Sequence, residues 1–294
     1  MQNTVIKAEN LVKNFGKVRA LNGVNLEIGA GEVYGFIGPN GAGKSTTIRA
    51  LLGVLKPDTG NAKIFGQDAW HDAVAIHKRL AYVPGDVNLW ENLTGGEIID
   101  LFLRLKRGQN TRYKKDLIEK FDFDPTKKAG TYSKGNRQKV ALVAAFASDA
   151  DLYIFDEPTS GLDPLMELVF HDCVDKVKSQ GKTVLLSSHI LSEVEKLCDK
   201  LSIIRNGQIV DTGTLRQMQH LSRTNFTVET KKPIIGLQEM PGVYDVNENA
   251  GVISFRTDSD ATGAVVKLLA DAGITRITVM PPKLEELFLG HYGV

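Results

Sequence analysis

Hydrophobic and polar positions along the chain define two kinds of segment. Short apolar runs bounded by turn residues are typical of strands, whereas apolar residues at helical spacing are typical of helices. Residues 5–28 contain only strand-like runs and turns, which predicts antiparallel strands. From there to residue 205, strands and helices alternate. The predicted strands are 32–38, 81–84, 152–155, 183–187 and 201–205, and the predicted helices are 45–54, 94–106, 111–121, 136–147, 164–179 and 190–197.

Strands that alternate with helices form a parallel sheet with helices on both faces. The fold class predicted for the first part of the chain is therefore α/β. It has an antiparallel β subdomain at its start and a mostly helical insertion at about 86–148.

The pattern changes after about residue 221. Strands are predicted at 225–230, 243–246, 252–255 and 274–279, with helices at 234–240 and 261–272. This order, β-α-β-β-α-β, is that of the ferredoxin-like motif. We predict two domains, 1–221 and a small α+β domain at 222–294. Leu284, Leu287 and Phe288 have the spacing of a helix that docks through one apolar face.

Composition excludes several classes of protein. The 294 residues include 36 Lys and Arg against 35 Asp and Glu, so no overall basic charge favours a nucleic-acid partner. Cys173 and Cys198 have neither metal-binding nor redox spacing, which is typical of reduced cysteines in a cytosolic protein. Residues 1–10 lack the pattern of a signal peptide, and no apolar run approaches the ~20 residues that span a bilayer.

Residues 38–46 satisfy the P-loop pattern between a predicted strand and a predicted helix. Glycines let successive backbone N–H groups point at phosphate oxygens, and the helix that follows adds its positive end. Lys44 supplies a charge for the outer phosphates, and the Ser45 hydroxyl suits Mg²⁺. A glycine-rich turn before an ordinary helix is the alternative, which the strand–loop–helix context disfavours. The predicted ATP-binding residues are Gly38, Pro39, Asn40, Gly41, Ala42, Gly43, Lys44, Ser45 and Thr46.

Two carboxylates end the predicted strand at 152–155. The carboxyl ends of such strands are where open α/β sheets bind ligands. Asp156 is a candidate Mg²⁺ ligand, and Glu157 is a candidate general base for an attacking water. A solvated acidic pair that opens a loop is the alternative. Together with the P-loop, the pair predicts an ATPase that uses ATP and Mg²⁺.

With these motifs in place, residues 3–220 resemble the nucleotide-binding subunits of ABC transporters. In that family two subunits dimerise head to tail, and a signature segment of one closes over the ATP of the other. Residues 132–138, Tyr-Ser-Lys-Gly-Asn-Arg-Gln, stand in the signature position. The resemblance implies that four residues contact the partner's ATP: Ser133, Lys134, Gly135 and Asn136. A helix N-terminus alone would also explain this segment.

The resemblance extends to three further positions. Residues 160–163 match the segment that communicates across the dimer through Asp163, although Asp163 is also a good helix N-cap before Pro164. His189 aligns with the histidine that bonds the γ-phosphate, which makes it catalytic together with Glu157 and Lys44. Phe15 matches the aromatic residue that stacks on adenine.

Some positions depart from the family pattern. Gly85 and then Asp86 stand where the family often has Gln or Glu, which puts metal coordination at that corner in doubt. Lys134 and Asn136 replace a common Gly and Gln of the signature. Leu89 and Trp90 lie where the family docks its membrane subunit, with local packing as the alternative.

The resemblance implies an ATP-hydrolysing subunit that powers a separate membrane permease from the cytoplasmic side of the membrane. The C-terminal domain looks like that of drug, antibiotic and lipid exporter ATPases, which favours export. Two alternatives stay open: a soluble ABC-type ATPase in a cytosolic assembly such as iron–sulfur biogenesis, and a ribosome or nucleic-acid factor. Neither the transported substrate nor the choice between homodimer and heterodimer can be read from the sequence.

Overall fold

A computed structural model describes residues 3–106, 111–220 and 223–280 of the chain. The chain divides into two compact units, Met1–Thr212 and Gly213–Val294. The split into a nucleotide domain and an accessory domain at residue 221 stays a prediction. The apolar stripe at 284–288 lies outside the described residues.

The strands and helices are numbered along the chain. The described strands are β1 (Thr4–Phe15), β2 (Val18–Gly29), β3 (Val33–Ile37), β4 (Thr59–Ile64), β5 (Gln67–Asp68), β6 (Leu80–Val83), β7 (Leu152–Asp156), β8 (Thr183–Ser188), β9 (Lys200–Arg205), β10 (Gln208–Thr214), β11 (Thr224–Thr230), β12 (Val243–Asn249), β13 (Val252–Thr257) and β14 (Ile274–Met280). The described helices are α1 (Lys44–Leu51), α2 (Ala73–His77), α3 (Gly95–Leu105), α4 (Thr111–Lys120), α5 (Lys134–Ala147), α6 (Pro164–Ser179), α7 (Leu191–Leu197), α8 (Leu215–His220) and α9 (Thr262–Ala272). Among these described helices, none combines the length and hydropathy that crossing a membrane requires.

Two sheets organise the first unit. The antiparallel sheet has the order β2-β1-β4-β5, and the larger sheet has the order β10-β9-β3-β8-β7-β6. In the larger sheet β3 pairs in parallel with β8 and β9, and β7 pairs in parallel with β6 and β8. The predicted α/β domain with an antiparallel subdomain is therefore confirmed. Strand β4 was not evident in the hydrophobic pattern because only Ala62 and Ile64 of its side chains are buried.

The larger sheet is buried on both faces, as its strands' continuous apolar runs predict. Successive side chains of a strand point to opposite faces, so each strand supplies two cores. One face carries Val33, Tyr153, Phe155, Val184 and Leu186, which pack with helices α3, α5 and α6. The other face carries Tyr34, Phe36, Leu152, Ile154 and Leu185, which pack with α1 and the antiparallel sheet.

Side-chain caps fix where two helices of the first unit begin. At the start of α3, Glu97 N donates to the hydroxyl of Thr94, and Thr94 N donates to the Glu97 carboxylate at 2.8 Å. The hydrogen bond from the Thr94 backbone N–H lowers the pKa of the Glu97 carboxyl group. Asp163 caps α6 by accepting from Met166 N at 3.0 Å, and Pro164 occupies the first helical turn. The helix starts predicted near these residues are confirmed.

The second unit contains an antiparallel sheet against which helix α9 packs. The strand order is β12-β13-β11-β14, and each neighbouring pair is antiparallel. Phe226 and Phe255 lie opposite each other in the register and stack with ring centroids 5.1 Å apart. Val265 and Leu269 of α9 are fully buried in the same core.

The predicted helix at 234–240 is wrong, because these residues form turns. Pro233 and Pro241 bound the segment, and proline disfavours helical backbone in the residue before it. Within it Gly236 has φ of +84°, in the left-handed region. The apolar spacing reflects core packing instead, since Leu237 is buried against the sheet.

A stability prediction concerns the aromatic centre of the first unit. Phe146 is 1% exposed, and its ring packs against those of Tyr153, Phe155 and Phe170 at centroid distances of 5.3–6.1 Å. We expect Phe146→Ala to cost about 3–5 kcal/mol because of the cavity it leaves. The midpoint of thermal unfolding should fall by roughly 10 °C. Phe15→Ala, at a side chain that is 51% exposed, is the control and should change this midpoint little.

Candidate functional site

The loop from Gly38 to Gly43 joins the fully buried strand β3 to helix α1. Two of its glycines lie where a side chain would not fit. A Cβ on Gly38 would be 2.3 Å from the carbonyl oxygen of Ile204. Gly43 has φ of +113°, and a Cβ there would be 2.9 Å from the carbonyl oxygen of Ala20. Glycine therefore lets the loop curl tightly against its neighbours.

Backbone hydrogen bonds connect this loop to strand β2. The carbonyl of Ala42 accepts from Gly207 N at 2.9 Å, and the carbonyl of Gly207 accepts from Asn22 N at 2.8 Å. Strand β2 begins next to the tip of the antiparallel sheet, where Phe15 pairs with Val18. The Phe15 ring is half exposed, with the Lys13 ammonium 5.8 Å from its centroid. The sheet that braces the loop thus carries an exposed aromatic ring at its tip.

Lys44 is buried beneath the loop. Its ammonium donates to the carbonyl oxygens of Gly38 at 2.6 Å and Pro39 at 3.2 Å. It also forms an ion pair with Glu157 Oε1 at 3.5 Å. A buried charge is costly unless it is paired and hydrogen-bonded, and these three contacts meet that requirement.

Asp156 and Glu157 follow one another at the end of β7 but lie in different surroundings. Asp156 is buried and accepts a short hydrogen bond from the hydroxyl of Ser187, its partner in the parallel register. Glu157 has φ of +52°, a left-handed conformation that is uncommon for residues other than glycine. Such conformations cost about 1–3 kcal/mol and occur preferentially at functional sites. Its amide donates to Ser187 O at 2.9 Å, which holds this turn in place.

The carboxylate of Glu157 brings three predicted catalytic residues together. Its Oε1 atom lies 3.5 Å from the Lys44 ammonium and 3.4 Å from His189 Nδ1. His189 follows strand β8 and is 49% exposed on its side chain. An acid, an imidazole and a cation therefore share one edge of the sheet, next to the glycine-rich loop.

The remaining candidates of this corner differ in their surroundings. Ser45 is exposed at the start of α1, directly after Lys44. Asp86 is exposed as well. Gly85 lies against the end of β7, because a Cβ on it would be 3.0 Å from the carbonyl oxygen of Asp156.

The predicted signature residues lie against the turn that follows Glu157. Ser133 caps helix α5 by accepting from Asn136 N at 3.2 Å. Lys134 donates to the hydroxyl of Ser160 at 2.8 Å. Gly135 packs so closely that a Cβ would be 2.6 Å from the carbonyl oxygen of Gly161. The signature segment and residues 158–161 are thus joined within one chain.

Comparisons with known proteins agree on one family. The family model described as ABC transporter matches residues 21–160. The daunorubicin resistance ATP-binding protein DrrA3 of Streptomyces coeruleorubidus is 31% identical, over 98% of this chain and 96% of its own length. The bacitracin transport ATP-binding protein BcrA of Bacillus licheniformis is 30% identical, over 97% of this chain and 96% of its own length. This chain belongs to the ABC transporter ATP-binding proteins.

A solved structure supports the same assignment for fold and chemistry. It is the dimeric structure of a post-hydrolysis state of the ATP-binding cassette MJ0796 bound to ADP and Pi. Its TM-score against this chain is 0.66 at 25% identity, covering 72% of this chain and 99% of that one. This ABC protein is therefore an ATPase with the P-loop fold of its family.

Sequence motifs did not reveal every residue that shapes this ABC site. Ser187 bonds Asp156, and the buried Gln138 amide donates to the Pro158 carbonyl at 2.9 Å. Both contacts join segments that are far apart in the chain. Ser187 could have been found from its place at the end of a neighbouring parallel strand. Gln138 ends the segment that stands in the signature position, but that motif gave no sign of its contact with Pro158.

A prediction follows for Lys134 in the predicted signature segment of this ABC protein. We expect Lys134→Met, which keeps the aliphatic stem, and Ser160→Ala each to slow ATP turnover about two- to tenfold, because each removes one solvent-exposed hydrogen bond worth about 0.5–1.5 kcal/mol. Steady-state ATP hydrolysis measures this. Because both variants remove the same bond, the double variant should be no slower than the slower single one. Lys127→Met, at another exposed lysine, is the control. If the turnover losses of the two single variants instead multiplied in the double variant, Lys134 and Ser160 would not act through one bond.

Proposed function

We propose that this chain is the ATP-hydrolysing subunit of an exporter, which powers a separate membrane permease for drugs, antibiotics or lipids. The observation that carries the ATP-hydrolysing role is the group of Lys44, Glu157 and His189 beside the glycine-rich loop. The relatives named for daunorubicin resistance and bacitracin transport support the direction and the class of substrate.

In this proposal the phosphates of ATP bind the backbone N–H groups of the loop that ends at Gly43. The Lys44 ammonium and the start of α1 supply positive charge, since both lie at the same end of the loop. Residues 38–46 form the binding segment. The exposed ring of Phe15 stacks on adenine, at the tip of the sheet that braces the loop.

The residues present fit a Mg²⁺ ion held chiefly by phosphate and water. Asp156 and the Ser45 hydroxyl would be its protein ligands, because Asp156 is a buried carboxylate next to the loop and Ser45 opens α1. In the described part of the chain, no cluster of three or more His, Cys, Asp or Glu is arranged for a metal. That suits Mg²⁺, which keeps several waters and uses few carboxylates. The ion would neutralise charge on the phosphates.

Glu157 acts as the general base in this mechanism. A carboxylate that points toward the phosphate loop can accept a proton from the water that attacks the terminal phosphate. The Nδ1 atom of His189 lies 3.4 Å from the same oxygen of Glu157. In its protonated form, in which both ring nitrogens donate, His189 also donates to the γ-phosphate through Nε2. Lys44 stabilises the charge that develops on the phosphate oxygens.

Dimerisation completes the site in this proposal. Ser133, Lys134, Gly135 and Asn136 lie at the start of α5, where a hydroxyl, backbone N–H groups and a helix N-terminus suit an anion. These residues contact the ATP of a second nucleotide-binding subunit, and Asp163 carries communication between the two. The dimeric cassette named above supports such a pairing. The second subunit is either another copy or a homologue, and no nucleic acid is needed.

An exposed apolar cluster is the proposed docking site for the permease on the inner face of the cell membrane. Leu101, Phe102 and Leu105 share one face of α3, and the Trp90 ring lies 6.0 Å from that of Phe102. Trp90 is 54% exposed, whereas Leu89 packs locally on the core. Exposed apolar patches of this kind mark interaction sites.

The first test separates nucleotide binding from turnover. We expect Glu157→Gln to keep ATP binding but to slow hydrolysis by ~10²–10⁴, since an amide cannot accept the proton. Lys44→Ala should instead weaken ATP binding itself. Binding is measured by titration with a fluorescent ATP analogue and turnover by phosphate release. Turnover of Glu157→Gln within threefold of the parent would remove Glu157 as the base.

The second test concerns the permease. The chain should co-purify with a multi-spanning membrane protein from detergent-solubilised membranes of its host. Trp90→Glu should abolish this recovery while ATP binding stays unchanged, because a charge in an apolar interface is costly. Val74→Glu, at an exposed apolar residue of α2, is the matched control. Recovery only with ribosomes or soluble complexes would contradict the transporter function.

A further inference from the structure

A buried acid lies on the helix that follows His189. Glu193 is 5% exposed on α7, and its Oε1 atom has no hydrogen-bond partner among the described residues. Burial raises its pKa, an effect that the hydroxyl groups of Ser188 and Thr159 oppose. A buried carboxyl group is expensive, and leucine or methionine would be cheaper at this position. Such a group requires an explanation.

The second oxygen of Glu193 shows what the side chain holds. Glu193 Oε2 accepts from the hydroxyl of Ser188 at 2.6 Å. The same hydroxyl oxygen accepts from the backbone amide of Ile190 at 3.0 Å. Ser188 and Ile190 are the two neighbours of His189 in the chain. Glu193 thus holds the Ser188 hydroxyl, and that hydroxyl links the residues on both sides of the histidine.

Helix α7, which carries Glu193, is itself in close contact with the phosphate-loop strand. A Cβ on Gly35 of β3 would be 2.6 Å from the Cγ1 atom of Val194. Val194 is fully buried and next to Glu193. Strand β3 leads directly into the phosphate loop, so helix α7 and its Glu193 are packed in a fixed position relative to that loop.

We propose that Glu193 is a positioning residue for ATP hydrolysis, which acts through Ser188 and Ile190 to hold His189 against Glu157. The inference rests on the roles proposed for His189 and Glu157. His189 lies 3.4 Å from Glu157 although half of its side chain is exposed, so its position depends on the backbone that carries it. A small displacement of a catalytic group lowers the rate without removing the binding site.

The experiment compares substitutions in the full chain with and without His189→Ala. Glu193→Ala and Ser188→Ala should each lower kcat about tenfold and leave ATP affinity within about twofold. Glu193→Gln should stay within about twofold of the parent, because its amide still bonds the Ser188 hydroxyl. Ser192→Ala, at an exposed neighbour on α7, is the matched control and should change nothing.

A double-mutant cycle distinguishes positioning from general stability. If Glu193 acts through His189, then Glu193→Ala should cause no further loss of kcat in the His189→Ala background. An equal loss in both backgrounds would overturn the proposal, as would a lowered unfolding midpoint with kcat unchanged. A tenfold lower kcat in Glu193→Gln would also overturn the proposal, because in it residue 193 needs only to accept a hydrogen bond from Ser188.

Two further results keep the test decisive. If Glu193→Ala does not fold, Ser188→Ala carries the test, and a kcat equal to that of the parent would overturn the proposal. If His189→Ala itself leaves turnover unchanged, the failure belongs to the proposed role of His189. If His189→Ala slows turnover but neither Ser188→Ala nor Glu193→Ala does, the failure belongs to the inference about Glu193.

Discussion

The buried ammonium of Lys44 is the constraint on which the rest of the site depends. A cation in that position needs nearby oxygens, which the loop carbonyls and Glu157 provide. Glu157 can reach Lys44 because β3 and β7 both pair with β8, so their carboxyl ends meet at one edge. His189 follows β8 and therefore lies at the same edge. The order of three parallel strands thus places cation, imidazole and carboxylate side by side.

The same edge is connected to the signature segment by a very short stretch of chain. Glu157 leaves the sheet in a left-handed turn, and residues 158–161 then contact the start of α5. The proposed base for one nucleotide and the proposed cap for another are therefore parts of one packed unit. Lys134 joins the two parts of that unit through its hydrogen bond to the Ser160 hydroxyl.

Local signals in the sequence predicted most of the fold and the centre of the site. Each of these signals is contained in a short stretch of sequence. They are the glycine spacing around Lys44, the two acids at the strand end near Asp156 and the apolar periodicity of the helices. The prediction of a helix at 234–240 is wrong because the turns between two prolines place apolar side chains in the core at intervals that resemble those of a helix. Ser187 could be inferred only from its place at the end of a parallel strand beside β7. Glu193 could not be assigned from the sequence, since its contact with Ser188 depends on how α7 is buried.

Gly85 determines how substitutions at this corner would affect the site. A Cβ on Gly85 would be 3.0 Å from the carbonyl oxygen of Asp156. Any larger side chain at residue 85 would therefore require the Asp156 backbone to shift by a few tenths of an ångström. Because the Asp156 carboxylate is the proposed ligand for the metal, the choice of residue at position 85 and the placement of that carboxylate cannot be varied independently.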